Sequence, residues 1–233
     1  MSTFMKALLA CPRPLVMEVK RQDADGRDLL AGRSVAETVE RYEEAGAPCI
    51  SVVTGRWFGG TEALLREVAS RTELPLLRKD FITSRRHLDR SLELGAAAVL
   101  LTAKLLPAPT LARLAAHALS IGLTPFVEVA DGAELAAAAT AHPTESVIAV
   151  NNKDIATRER LPADPSRGLA LLPAVRRTGT PCPVSASGIT DPHEAAALLD
   201  AGFKALLIGT GLLATDSVTA WSDRLDKARS VRA

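Results

Sequence analysis

The stretch Leu76-Leu77-Arg78-Lys79-Asp80-Phe81-Ile82 begins as an apolar strand and runs into three consecutive charges. Three other stretches do the same: Met17-Glu18-Val19-Lys20, Val127-Glu128-Val129 and Val150-Asn151-Asn152-Lys153-Asp154. Ionisable groups joined to buried strands are costly unless they are used. In a chain that alternates strands and helices, the strand end is where active sites are built. The pattern therefore reads as an enzyme with its chemistry at one end of a sheet.

Working outward from these stretches, short apolar runs predict strands over 15–20, 49–54, 76–80, 98–102, 124–129, 147–150, 183–185 and 205–208. Amphipathic segments between them predict helices over 35–45, 62–71, 84–94, 110–121, 132–140, 166–177, 192–201 and 218–231. Gly46, Gly95, Gly122 and Gly202 stand where left-handed helix ends want glycine. Ser34, Thr61 and Asp191 stand at N-cap positions, with Glu37 and Glu194 at capping-box spacing. Eight strands alternating with eight helices, with no linker-like break, give an α/β protein: one (β/α)8 TIM barrel spanning residues 1–233. The 233 residues suit a fold that typically takes about 250. An open doubly wound sheet is the alternative, disfavoured because no Gly-x-Gly-x-x-Gly follows the first strand. The longest irregular stretch, 152–165, carries Pro162 and Pro165 and reads as a lid over the barrel mouth.

Composition narrows the function classes. The chain is 47% hydrophobic and 24% charged, which is globular rather than disordered. A net charge of +1 gives no global field that would gather nucleic acid or anionic lipid, so neither is an expected partner, while local basic sites for a small anion remain open. Cys11, Cys49 and Cys182 lack metal or Cys-x-x-Cys spacing and read as reduced thiols of a cytoplasmic protein. His87, His117, His142 and His193 are far apart, so no metal site is expected. Leu8-Leu9-Ala10-Cys11 faintly echoes a lipoprotein cleavage site, but its apolar core is too short, and no run approaches a membrane span.

Side chains along a strand alternate between faces. Glu18 and Lys20 therefore share one face; Leu77, Lys79 and Phe81 share another, with Arg78 and Asp80 opposite. If Lys79 faces the barrel axis, it meets Glu128, Glu18 and Lys20 in a partly desolvated mouth, where proton affinities are pushed apart in a way that suits acid–base chemistry. A structural ion-pair layer plugging the barrel is the alternative. Ser185-Ala186-Ser187-Gly188-Ile189 and Ile208-Gly209-Thr210-Gly211-Leu212 end the last two strands. Small residues there, ahead of a short helix, make the phosphate cradle common in these barrels; tight turns that merely need glycine are the alternative.

With these segments in order and at plausible spacing from about residue 15 onward, the chain resembles the indole-3-glycerol phosphate synthase family. Leu-Arg-Lys-Asp-Phe-Ile (77–82), Asn-Asn-Lys-Asp-Ile (151–155), Val127-Glu128-Val129, Phe58-Gly59-Gly60 and Ser187-Gly188-Ile189 carry the likeness. The resemblance implies a carbon–carbon lyase that closes an indole ring from a carboxyphenylamino-deoxyribulose phosphate with loss of CO2 and water, without metal or organic cofactor. It implies Lys79 as general acid at the ketone and Glu128 as the carboxylate in dehydration, with Lys20 and Glu18 supporting substrate-carboxylate binding and proton transfer. It also implies Asn151 on the substrate hydroxyls, Lys153 where an arginine is usual, Phe58 and neighbouring aliphatic side chains on the aromatic ring, and Ser187, Gly188, Gly209 and Thr210 on the phosphate. Three departures stand out. Ala186 occupies the place of a family glutamate, and loss of an acid–base carboxylate lowers a rate by ~10²–10⁴. Gln22-Asp23-Ala24-Asp25 replaces a Ser-Pro-Ser loop beside the phosphate. A carboxylate ~4 Å from a phosphate charge costs about 4 kcal/mol at an effective dielectric of 20, so Asp23 turns away, pairs with a cation or signals a different substrate end group; Asp23 and Asp25 as solvated turn residues are the alternative. The family's N-terminal helical extension, which helps cover the substrate, is expected to be largely absent. A paralogue of specialised metabolism acting on a related arylamine–ketose adduct, and a catalytically silent metabolite-binding barrel, are the alternatives.

Overall fold

All eight apolar runs form strands: β1 (Leu15–Val19), β2 (Cys49–Val53), β3 (Leu76–Lys79), β4 (Ala98–Thr102), β5 (Thr124–Val129), β6 (Val147–Asn151), β7 (Cys182–Ala186) and β8 (Ala205–Ile208). They are seen in a computed structural model that describes residues 1–153 and 163–230. Each strand pairs in parallel with the next, and β8 returns to β1 through Leu15–Leu206, Val16–Leu207 and Met17–Ile208, so the sheet closes. Closure removes the exposed edges that an open sheet would have to protect.

The predicted helices follow their strands: α2 (Val35–Glu44), α3 (Glu62–Ala69), α4 (Arg85–Glu93), α5 (Ala108–Ser120), α6 (Gly132–Ala138), α7 (Pro165–Arg177), α8 (Pro192–Ala201) and α10 (Val218–Ser230), with a short α9 (Thr210–Leu213) after β8. Ser34 and Glu37 form the expected reciprocal box at α2. Thr61 caps α3, and Asp191 accepts from the N–H groups of His193 and Glu194 at α8. Glu194 instead bonds the backbone at Thr190, one residue before the cap. The glycines at 46, 95, 122 and 202 all adopt positive φ.

One short helix that the sequence patterns do not predict precedes the barrel. This helix, α1 (Thr3–Ala10), has its N-cap supplied by Ser2. It buries Phe4, Met5 and Leu8 among Val16, Cys49, Leu77, Ala98, Phe126, Val147, Cys182 and Ala205, the inward residues at the starts of the strands. Phe4 meets Phe126 edge-on at 6.4 Å between ring centroids. The helix therefore stoppers the N-terminal end of the barrel and leaves the opposite mouth free. The Leu8–Cys11 echo of a leader is part of this packed helix.

Alternation divides the strand residues into two shells. Met17, Val19, Ile50, Val52, Leu76, Val99, Leu101, Val127, Val129, Ile148 and Val150 face out and pack beneath the helices. The inward positions are apolar at the starts of the strands and become polar toward their ends, through Glu18, Lys79, Thr102, Glu128 and Asn151. The expected lid over 152–165 falls mostly on 154–162, as does Asp154 of the opening motif, and both lie outside the described residues.

Candidate active site

At the C-terminal mouth, the inward residues of β1 to β5 and the loops after β2, β3 and β4 enclose a cavity of about 540 Å³. Lys20, Phe58, Lys79 and Glu128 line it, together with Trp57, Phe81, Val53, Leu100, Thr102 and Leu105. The local reason that Lys79 points inward lies in its neighbours. Arg78, on the outer face, is buried with Nη2 3.1 Å from Asp80 Oδ2 and 3.6 Å from Glu62, and its Nε donates to Thr54 Oγ1 at 3.2 Å. Thr54 Oγ1 in turn donates to Asp80 Oδ2 at 2.7 Å. This lattice fixes the end of β3, and the pleat turns Lys79 and Phe81 the other way.

Lys79 Nζ lies 3.2 Å from Glu18 Oε2, and Lys20 Nζ lies 3.7 Å from Glu18 Oε1. Glu18 is only 2% exposed. Burial alone would lift its carboxyl. The ammonium of Lys79, then that of Lys20, and hydrogen bonds from Lys79 and Ser51 outweigh it and hold the group below the usual carboxylate value. Gly209 permits this arrangement, since a Cβ there would lie 2.4 Å from Glu18 Oε1. Glu128, 3% exposed, ends β5 beside Thr102 of β4. Lys20 Nζ also sits 5.1 Å from the centroid of the Phe58 ring, which keeps an ammonium close to the aromatic wall.

The other expected site residues cluster across the mouth at the ends of β6, β7 and β8 and do not line this cavity. Asn151 is buried; its Oδ1 accepts from the backbone N–H of Lys153 at 2.9 Å, while its Nδ2 has no hydrogen-bond partner among the described residues. Lys153 is half-buried. Ser187 and Gly188 both adopt left-handed backbone, φ 72° and 77°. For a serine such backbone costs on the order of 1–3 kcal/mol, and for Gly188 the lack of a side chain also admits Ala163, whose Cβ would collide with one. Gly209 and Thr210 open α9. Glu18 links the two halves, touching Lys79 on one side and Gly209 on the other.

One expectation changes, and of the two readings of Asp23 the structure shows the turn. The ring wall is more aromatic than Phe58 with aliphatic neighbours: Trp57 lies 4.8 Å from Phe81 between centroids, edge to face, and is 58% exposed at the rim. The signal for it was the Trp57-Phe58 pair directly before two glycines. Asp23 is a turn residue, its Oδ1 accepting from the N–H groups of Asp25 at 2.9 Å and Arg27 at 3.0 Å. Those bonds, that to Arg27 the larger, hold its carboxyl below its ordinary value. Among the described residues no group of three or more His, Cys, Asp or Glu side chains could hold a metal ion.

A family model described as indole-3-glycerol phosphate synthase matches residues 2–225. The chain belongs to the indole-3-glycerol phosphate synthase family. It is 36% identical over 204 residues to the indole-3-glycerol phosphate synthase of Pyrococcus abyssi, covering 87% of this chain and 86% of that one. To indole-3-glycerol phosphate synthase 1 of Streptomyces coelicolor it is 37% identical over 211 residues, covering 90% and 76%. The structure of 3-hexulose-6-phosphate synthase from Salmonella typhimurium superposes with a TM-score of 0.70 at 12% identity, over 94% of this chain and 99% of that one, a likeness of fold alone. The cavity and the β6–β8 rim lie at the same end of the barrel, with Glu18 between Lys79 and Gly209.

Proposed function

We propose that the chain is a carboxy-lyase that closes the indole ring of a carboxyphenylamino-deoxyribulose phosphate, the reaction of its family, and that the mouth of the barrel is where it does so. The observation that carries this reading is an ammonium group, Lys79, set in an aromatic-walled cavity and ion-paired from below by a buried carboxylate. Trp57, Phe58 and Phe81 suit the aromatic ring. Lys20 suits its carboxylate. The unpartnered Nδ2 of Asn151 suits a substrate hydroxyl, since buried donors are nearly always satisfied. The Ser187-Gly188 and Gly209-Thr210 turns suit the phosphate, with Lys153 close by.

In this assignment the ring carbon bearing the carboxylate attacks the ketone carbon while Lys79 gives its proton to the ketone oxygen. CO2 leaves from that ring carbon and aromaticity returns; the proton spent by Lys79 is regained from solvent. Glu128 then takes a proton from the methylene carbon beside the nitrogen, and the hydroxyl departs as water on a proton from the lysine pair. Glu18 holds Lys79 charged and oriented until the ketone needs it. Its depressed proton affinity suits it to remain a carboxylate throughout.

A second reading has one observation behind it. Position 186 faces inward beside Asn151 and carries a methyl group where the family carries a carboxylate, which favours a related arylamine–ketose adduct as the natural substrate. Incubating the purified chain with the carboxyphenylamino-deoxyribulose phosphate, while following indole fluorescence and CO2, tests the first reading. Stoichiometric appearance of both is expected, and neither appearing over hours at saturating substrate would contradict it.

A further inference from the structure

Asn152 follows the last residue of β6 and turns outward, toward α7 and the outer face of β7. Its Nδ2 donates to Ser185 Oγ at 3.1 Å and to the carbonyl oxygen of Ser187 at 3.1 Å. Its backbone N–H donates to Ala186 O at 2.9 Å. One side chain and its own amide thus grip three successive residues at the end of β7. The Oδ1 atom is buried with no hydrogen-bond partner among the described residues. It lies against the one glycine inside α7, Gly168, where an added Cβ would stand only 2.9 Å away. Glycine inside a helix weakens it relative to alanine; here it makes room for Asn152. The residue held by this grip, Ser187, has φ 72° and is followed by Gly188 at 77°. A serine leaves such backbone unless its surroundings over-determine it, and a tight turn of this kind aims successive backbone N–H groups to one side, where they can meet an anion.

We propose that Asn152 is a positioning residue for anion binding: its amide bolts Ser187 into the left-handed turn that presents backbone N–H groups to the substrate phosphate. This rests on the assignment of the Ser187-Gly188 turn to phosphate made above. Asn152 itself touches no substrate.

Calorimetric titration of the full chain with inorganic phosphate, and separately with 2-aminobenzoate, reads the two ends of the site independently. Asn152→Leu keeps the approximate size of the side chain, adds no charge and removes the Nδ2 donors. It weakens phosphate by about tenfold, the scale of one lost hydrogen bond, and leaves 2-aminobenzoate unchanged. Gly168→Ala displaces the Asn152 amide while improving helix propensity, so it weakens phosphate in the same selective way without lowering the thermal midpoint. Adding Ser187→Gly to Asn152→Leu recovers part of the phosphate affinity, because glycine holds that backbone without a bolt. A wild-type chain that binds 2-aminobenzoate but no phosphate overturns the cradle itself. A wild-type chain that binds both, with Asn152→Leu and Gly168→Ala sparing phosphate or weakening both ligands alike, overturns the bolt alone.

Discussion

Glu18 is the residue on which most others depend, because a carboxylate 2% exposed is tolerable only between two ammonium groups. Its folded proton affinity lies below the unfolded value, so the unfolded chain binds more protons in between. The stability it contributes is present above the ordinary carboxylate range and is lost as pH falls through the depressed folded value. The stability gap between wild type and Glu18→Gln, measured by urea melts, should therefore narrow on acidification; a gap that stays constant would remove Glu18 from the linkage. Ala186→Glu, facing inward beside Asn151, should raise turnover of the carboxyphenylamino-deoxyribulose phosphate by at least about tenfold if the missing carboxylate limits the rate. A flat or lower rate would assign the limit elsewhere. Asp23→Ser should leave inorganic phosphate affinity unchanged, since the carboxylate is spent on the turn at Asp25 and Arg27; tighter phosphate would return Asp23 to the anion site. The inward aim of Lys79 was readable from strand alternation alone. That it pairs with Glu18 was not, because the register between β1 and β3 passes through β2 and is written in no local pattern.

At the scale of elements, α1 and the mouth loops occupy opposite ends of the barrel, which separates stability from activity. Phe4 is fully buried against Phe126, so Phe4→Ala should cost about 3–5 kcal/mol of unfolding free energy and leave kcat unchanged below the melting range. A fall in kcat at full folding would mean that the stopper communicates with the mouth. Strands and long helices were legible because their apolar periods and caps agree, as at Ser34 and Glu37. Eight residues are too few to establish a helical period, and with its Leu8–Cys11 end resembling a leader, α1 was read as no element at all. The turn Arg56–Phe58 escaped for the same reason of length, and with it the exposure of Trp57 at the rim.

Across the whole molecule, the closed sheet sorts its groups by end: apolar side chains and two thiols at the bottom, charge at the top. Burial pushes the Cys49 thiol up strongly and that of Cys182 up to about 12. The unfolded chain releases these protons first, so stability should fall as pH rises from the ordinary thiol value toward about 12. In native protein, Cys11 should react with a disulfide reagent well before the other two, since Cys49 and Cys182 are buried; equal rates would show that the bottom of the barrel opens. The fold was readable because alternation, capping and strand count agree along the entire chain. The division of the mouth into an aromatic cavity and a β6–β8 rim depended on closure, which brings together residues more than a hundred positions apart. What makes the mouth a catalyst in this account is a proton on Lys79 that can leave. Lys79→Arg keeps the charge that Glu18 requires but holds its proton too tightly to serve as an acid. The decisive measurement is kcat for indole formation by Lys79→Arg beside its thermal midpoint: the account predicts a fall of ~10²–10⁴ in kcat with the midpoint preserved, and a folded Lys79→Arg protein turning over at the wild-type rate would contradict it.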